Sequence, residues 1–328
     1  MGPTGPVVSI VKIANDNIQY AVEKAIDLIG GIAEVTKGKN SIMIKPNLVG
    51  DAAKHTTKPT VVKALAQLMQ GAGKTVLCGE GSVGAAGITH IDGSDVRTKK
   101  TDILSALQKQ VYDNLGYTAL GQQLGMQLVN LHTGNIVQLQ VPGATVFKDI
   151  YLHKSLTDVD LLCSVPMMKT HGLGMVTLGM KNLIGCYPGE VYYNARKPVH
   201  TLCEDNGSPG AAYEIVDMVR ANKLGLVVID GSMAMEGNGP VKGTLVKMDV
   251  IIAGTNPLAT DMVGAAVMGI QPWEVPTFVT AQATGMTPKS LGEIQIVGEK
   301  ISAVTKNFVR PTIYTWSAVK GTWATEEI

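Results

Sequence analysis

An excess of charge of either sign is missing from this chain: 28 lysines and arginines stand against 27 aspartates and glutamates, a formal net charge of +1. No global field therefore draws the protein to nucleic acid or an anionic membrane, and a charged ligand has to be held by a local cluster. Aromatic residues make up only 5%, with no basic stripe interleaved among them, which removes the stacking platforms of single-strand nucleic-acid binding. No apolar run approaches the roughly 20 residues of a membrane span. Cysteine is sparse and scattered: Cys78, Cys163, Cys186 and Cys203 are the only four in 328 residues. They are too few and too far apart for a disulfide scaffold, and they lack the close spacing of a ferredoxin-type cluster. A signal-peptide pattern is missing too, because Met1-Gly-Pro-Thr-Gly-Pro6 leads straight into a strand-like segment. The expectation is a soluble protein, cytoplasmic as given, with export after removal of a signal left open.

What is present is a repeating order of apolar runs and amphipathic segments. Val7–Ile13, Ser41–Pro46 and Thr75–Cys78 read as strands, separated by helical periodicity over Asn15–Gly30 and Thr60–Met69. Farther on, Val159–Val165, Leu226–Asp230 and Met248–Ala253 read as buried strands, and Ser208–Lys223, Pro257–Met268 and Pro276–Thr284 as helices. This order predicts an α/β fold of two lobes with mostly parallel sheets and a ligand cleft between them, set at 1–150 and 151–328 with the boundary anywhere in roughly 90–155 and discontinuous lobes left open. Ligands are expected outside the carboxyl ends of the strands.

The densest chemistry lies in Pro166–Cys186, where Lys169, His171, Lys181 and Cys186 stand among Gly172, Gly174, Gly179 and Gly185. Glycines let backbone approach a ligand closely, and lysine and histidine are the side chains whose protonation a protein tunes most readily. Four other stretches follow predicted strands. Lys45-Pro-Asn47 leads to His55-Thr-Thr-Lys58 ahead of a helix whose amino end favours anions. Gly79-Glu-Gly-Ser-Val-Gly84 matches a dinucleotide fingerprint superficially, and a small-residue ligand loop there makes Gly79 and Gly81 cofactor-binding candidates. Glu236-Gly-Asn238 and Lys242 form a further strand-end loop, and Asn256-Pro-Leu-Ala-Thr-Asp261 opens a helix. His200 and Cys203, with Cys186, supply soft ligands for a metal, without zinc-finger spacing.

The motifs Ile44-Lys-Pro-Asn47, Lys169-Thr-His171, Gly179-Met-Lys-Asn-Leu-Ile-Gly185, Glu236-Gly-Asn-Gly-Pro240 and Asn256-Pro-x-x-x-Asp261 resemble the domain of unknown function 362 family across nearly the whole chain. That resemblance implies no particular reaction, although many members resemble redox proteins by carrying an extra iron–sulfur module that this chain lacks. More distantly, the chain is similar to the nickel-pincer lactate racemase family, a two-lobed α/β enzyme with its site in the cleft. There a catalytic histidine precedes the cofactor-tethering lysine by ten residues, the separation of His171 from Lys181. The resemblance also sets His55-Thr-Thr-Lys58-Pro against that family's Asp-x-Thr-Arg-Pro loop and His200 in the place of its nickel-binding histidine. Gly79-Glu-Gly81 stands where that family has Gly-Thr-His, so its second acid/base histidine is missing.

The sequence thus predicts an enzyme that binds a small anionic, carboxylate-type substrate. Lys45, Asn47, His55, Lys58, Lys169, Glu236, Asn238 and Lys242 would bind it, and His171 and Lys181 would carry acid–base chemistry of racemase, epimerase or related redox type. Two alternatives stand beside this: a metal- or iron–sulfur-linked redox protein with a partner protein and His200, Cys203 and Cys186 as ligands, and a non-catalytic small-molecule binder. The cofactor is left unknown, a divalent metal or a nickel-type group tethered at Lys181 being considered and iron–sulfur less favoured.

Overall fold

The computed structural model describes residues 5–86, 90–91, 94–95, 97–196, 199 and 211–312. The strands in chain order are β1 (Val7–Lys12), β2 (Ser41–Pro46), β3 (Thr75–Glu80), the short pair β4 (His90–Ile91) and β5 (Ser94–Asp95), and β6 (Gln127–Asn130). They continue with β7 (Ile136–Gln140), β8 (Asp149–His153), β9 (Leu161–Val165), β10 (Met167–His171), β11 (Met175–Thr177), β12 (Leu224–Glu236), β13 (Thr244–Val246), β14 (Val250–Gly254) and β15 (Gln295–Gly298). Eleven of them form one sheet whose main path runs β15-β1-β14-β12-β9-β2-β3-β6, with β10, β11 and β13 attached to it. Along that path β14 alone runs antiparallel to its neighbours; the other pairs are parallel.

Both faces of the sheet are covered, and the alternation of side chains along each strand explains why the runs are apolar throughout. Ile42 and Ile44 point into one core with Val22, Leu65 and Val111 from the helices Ile18–Leu28, Pro59–Gly71 and Thr101–Asn114. Met43, between them, points into the opposite core with Ile215 and Met262 from Ala212–Ala221 and Pro257–Val267. Local signals start these helices where expected: Asn17 Oδ1 accepts the Tyr20 amide at 3.0 Å, and Asn256 Oδ1 accepts the Ala259 amide at 2.9 Å ahead of Pro257.

The mostly parallel α/β fold matches the sequence expectation. Strands from the two halves of the chain interleave, however, because β14, β12 and β9 lie between β1 and β2. A line drawn near residue 150 therefore crosses continuous hydrogen bonding. The stretch after Val165 also differs from the Gly-rich loop expected of it. β10 and β11 form an antiparallel hairpin, β10 extends β9 past Pro166 alongside the far half of β12, and a 3-10 turn follows at Lys181–Cys186. Gly172 and Gly174 serve the hairpin's turn, and the reactive residues stand on a strand and a tight helical turn.

Candidate functional site

The parallel strands β2, β3, β6, β9 and β12 bring their carboxyl ends to one edge, where Lys45, Glu80 and the β9–β10 continuation meet. Lys45 closes β2 and Glu80 closes β3, both fully enclosed. Lys45 Nζ lies 2.8 Å from Glu80 Oε1 and also donates to the Pro46 carbonyl at 3.0 Å and to Asn182 Oδ1 at 3.2 Å. Glu80 in turn accepts the Leu48 and Gly81 amides, each at 2.8 Å. Buried ions need this degree of pairing, since stripping water from each costs several kcal/mol. Gly185 packs against the pair so closely that a Cβ there would stand 2.3 Å from Glu80 Oε1.

Asn182 ties this pair to the hairpin. Its Nδ2 donates to the Lys45 carbonyl and to Ser164 Oγ, which sets its amide orientation and turns Oδ1 toward Lys45 Nζ and Asn47 Nδ2. Asn47 Oδ1 is left buried without a partner. Asn47 and Thr57 close the loop between them: the Asn47 amide donates to Thr57 Oγ1 at 2.9 Å and the Thr57 amide to the Asn47 carbonyl at 3.0 Å. The turn that carries Lys181 and Asn182 is held from behind by Asp261, which accepts the Gly179 and Met180 amides at 2.7 Å each. Burial pushes the Asp261 carboxyl up to about 7.

Lys169, on β10, is also fully buried, but its surroundings differ. Its one hydrogen bond among the described residues is to the His55 carbonyl, at 2.7 Å. Burial, then the neighbouring Lys181 charge, brings its amine down to about 7, with Glu80 opposing and Lys45 adding to the shift. His55 is half-buried, its ring Nε2 has no partner, and burial and Lys169 hold it below its usual range. His171 follows Lys169 by two strand positions and so shares its face of β10. The ring Nδ1 accepts the Leu173 amide at 3.0 Å, which puts the proton of the neutral ring on Nε2.

Other residues singled out in the sequence take structural places. The Lys58 amide, at the start of the helix Pro59–Gly71, donates to Asp230 Oδ2 at 2.9 Å, so the protein's own carboxylate stands where an external anion is expected. Glu236 Oε2 accepts the Val309 amide and Asn238 Oδ1 the Thr312 amide, both at 2.9 Å, fastening the segment after Phe308. Lys242 is exposed. The 236–243 loop does touch β10, since the Gly172 amide donates to the Gly239 carbonyl at 3.1 Å. Gly79 lies in the core against Met43.

The Gly81–Val83 backbone is held by side chains: the Ser82 amide donates to Gln108, His132 Nε2 to the Ser82 carbonyl, Arg196 to the Gly81 carbonyl and Asn194 to the Val83 carbonyl. Such a loop has little left with which to cradle a dinucleotide. Arg196, also fully buried, spans further to the Gly185 and Tyr187 carbonyls at 3.1 and 3.2 Å. Glu80, Asn182, Arg196 and Asp230 escaped the sequence reading. The available signal was a charged residue at the end of an apolar run, a pattern shared by Lys45, Glu80 and Asp230.

The described donors do not suit a nickel-type or other metal centre. Cys186 is buried and its thiol is pushed up to about 12 by that burial. Glu80 is already engaged by Lys45 and two amides. Among the described residues no three His, Cys, Asp or Glu side chains cluster as metal ligands would; His200 and Cys203 lie outside those residues. No described helix is long and apolar enough to cross a membrane. A shallow depression of about 460 Å3 lies by Asp160, Leu161, Lys223 and Gly225, at the amino ends of β9 and β12 and hence at the opposite edge from these groups.

A thylakoid-associated protein of Synechocystis sp. is 27% identical over 271 residues, which cover 80% of this chain and 74% of that protein. Among solved structures, the lactate racemase apoprotein from Thermoanaerobacterium thermosaccharolyticum superposes with a TM-score of 0.48 at 14% identity, over 81% of this chain and 57% of that one. A protein from Thermotoga maritima does so with a TM-score of 0.32 at 12% identity, over 74% and 56%. The chain thus spans little more than half the length of these two structures, and the likeness is a distant one of fold. The family model described as Domain of unknown function (DUF362) matches residues 42–266, well over half of the sequence, and the chain belongs to that family.

Proposed function

We propose that the protein is an enzyme that removes and returns a proton next to the carboxylate of a small organic anion, at the strand edge around Lys169. The observation that carries this reading is a charge imbalance. Lys45, Lys169 and Arg196 are all buried, yet among the described residues Glu80 is the one carboxylate that acts on both Lys169 and Arg196 and pairs with Lys45. With Lys169 protonated, three enclosed cations around one anion leave two positive charges over. A bound monocarboxylate offsets one, and loss of its α-proton creates a second negative charge on the same oxygens. The cluster therefore complements the dianionic transition state better than the ground state, which is the condition for catalysis.

In this scheme Lys169 places its ammonium against the developing oxyanion, with a proton affinity matched to sharing or donating that proton near neutral pH. His171, on the same face of β10, takes the α-proton at Nδ1, the ring nitrogen without a proton, which gives up the Leu173 amide to do so. Lys181 adds to the field that holds the carboxylate. Incubating the protein with a panel of small carboxylates in heavy water and following loss of the α-proton signal by NMR tests the reading. The expected result is exchange for at least one acid, slowed roughly 10²-fold or more by His171→Ala with the fold intact. Anion binding without exchange would make the protein a binder. Neither binding nor exchange across the panel would sink the reading.

A further inference from the structure

We propose that Lys169 is a carbamylation site: without an organic anion bound, its ε-amine adds carbon dioxide and the resulting carbamate takes the anionic place in the cluster. The charge imbalance described above motivates this, so the inference shares that premise with the proposed function, but it requires no turnover. Lysine contributes +1 as an ammonium and −1 as a carbamate. Conversion at Lys169 therefore sets two buried cations, Lys45 and Arg196, against two buried anions, Glu80 and the carbamate.

The atoms also fit. The neutral amine attacks the carbon of carbon dioxide, a C–N bond forms as one C–O π bond breaks, and one proton leaves to solvent; no oxidant, reductant or other reactant is needed. The carbamate nitrogen keeps one hydrogen, and Lys169 Nζ has one hydrogen-bond acceptor among the described residues, the His55 carbonyl at 2.7 Å. That bond survives the reaction. His55 Nε2, buried and unpartnered, becomes a donor available to a carbamate oxygen. The charged groups acting on Lys169 come from every side: Lys45 from β2, Glu80 from β3 and Lys181 from the following turn. The two added cations favour a carbamate over an ammonium. An amine lowered to about 7 is largely unprotonated at about pH 8, the form that reacts with carbon dioxide.

The consequence is that dissolved carbon dioxide and an organic anion compete for one place. Full-length protein at about pH 8 is given isotope-labelled bicarbonate and followed by carbon NMR. Expected is one carbamate resonance per chain, lost on acidification, lost when acetate is titrated in, and missing from both Lys169→Met and Lys169→Arg. Two substitutions are used so that a folding defect in one does not decide the outcome. Absence of the resonance from the wild-type protein would overturn the inference, as would a resonance that persists in both variants and so belongs to another amine. If acetate binds the wild-type protein while no carbamate forms, carbamylation alone falls. If neither acetate nor carbon dioxide engages the protein, the anion site falls with it.

Discussion

Lys45 and Lys169 are the same residue type, both fully buried, near the same edge of one sheet, yet their surroundings are opposites. Lys45 has a carboxylate at 2.8 Å and two oxygen acceptors besides. Lys169 has a single carbonyl acceptor, and Lys181 and Lys45 oppose Glu80 among its charged neighbours. The first arrangement is closed: both carboxylate oxygens of Glu80 are engaged, and Gly185 seals it. The second is left electrostatically unfinished, at a cost to stability, and such unfinished places are where ligands and chemistry are found. Burial of a lysine thus says little until its partners are counted.

Substituting each lysine by methionine breaks or sharpens this contrast. Lys45→Met leaves Glu80 buried without its cation and is expected to cost about 3–5 kcal/mol, read as a fall in the denaturant midpoint. A small loss would mean that Leu48 and Gly81 alone satisfy the carboxylate. Gly185→Ala drives a methyl to 2.3 Å from Glu80 Oε1 and is expected to cost about 1–3 kcal/mol, with the Lys45 pair loosened.

Lys169→Met should go the other way, gaining about 1 kcal/mol or more at neutral pH while abolishing anion binding. Its pH dependence fixes the sign. In the folded protein Lys169 titrates at about 7, below its ordinary 10.5, so the unfolded chain binds the extra proton. Wild-type stability should therefore fall as pH drops from about 10.5 toward 7, and Lys169→Met should lack that slope, its advantage vanishing at alkaline pH. Equal slopes in the two proteins would place Lys169 in a paired environment after all. The smallest effect is expected at Lys242, where the exposed side chain makes Lys242→Ala worth no more than about 0.5 kcal/mol and leaves anion binding unchanged.

Much of the frame was legible because buried parallel strands announce themselves as short continuous apolar runs. Ser41–Pro46 is read to the residue, and the helix expected over Thr60–Met69 occupies Pro59–Gly71. The hairpin of β10 and β11 was hidden, because Lys169, Thr170 and His171 are polar for buried strand residues, and glycines beside them imitate a loop. The antiparallel β14 is equally silent in sequence, since Val250–Gly254 is apolar whichever way it runs. At the site, residue types were visible but partnerships were not. Glu80 is 35 positions from Lys45, and no local pattern says that their strands are neighbours. Glu236 and Asn238 looked like ligand contacts, when the groups they recognise belong to the chain's own residues 309–312.

The interleaving of the sheet bears on how the protein is made. Among the described residues β1 pairs with β14 and β15 and with no other strand, so it has no hydrogen-bonding partner until some 240 further residues have been synthesised. At roughly 5–20 residues per second that is a wait of about ten to fifty seconds. β2 can join β3 early but gains β9 on its other side only after about residue 165. During this interval apolar edges of β1 and β2 are open to other chains, the condition under which nascent α/β proteins depend on chaperones. Moving β1 to the end of the chain in a circular permutant would remove the wait without changing a contact in the finished fold, and should raise the soluble yield of a rapidly expressed protein.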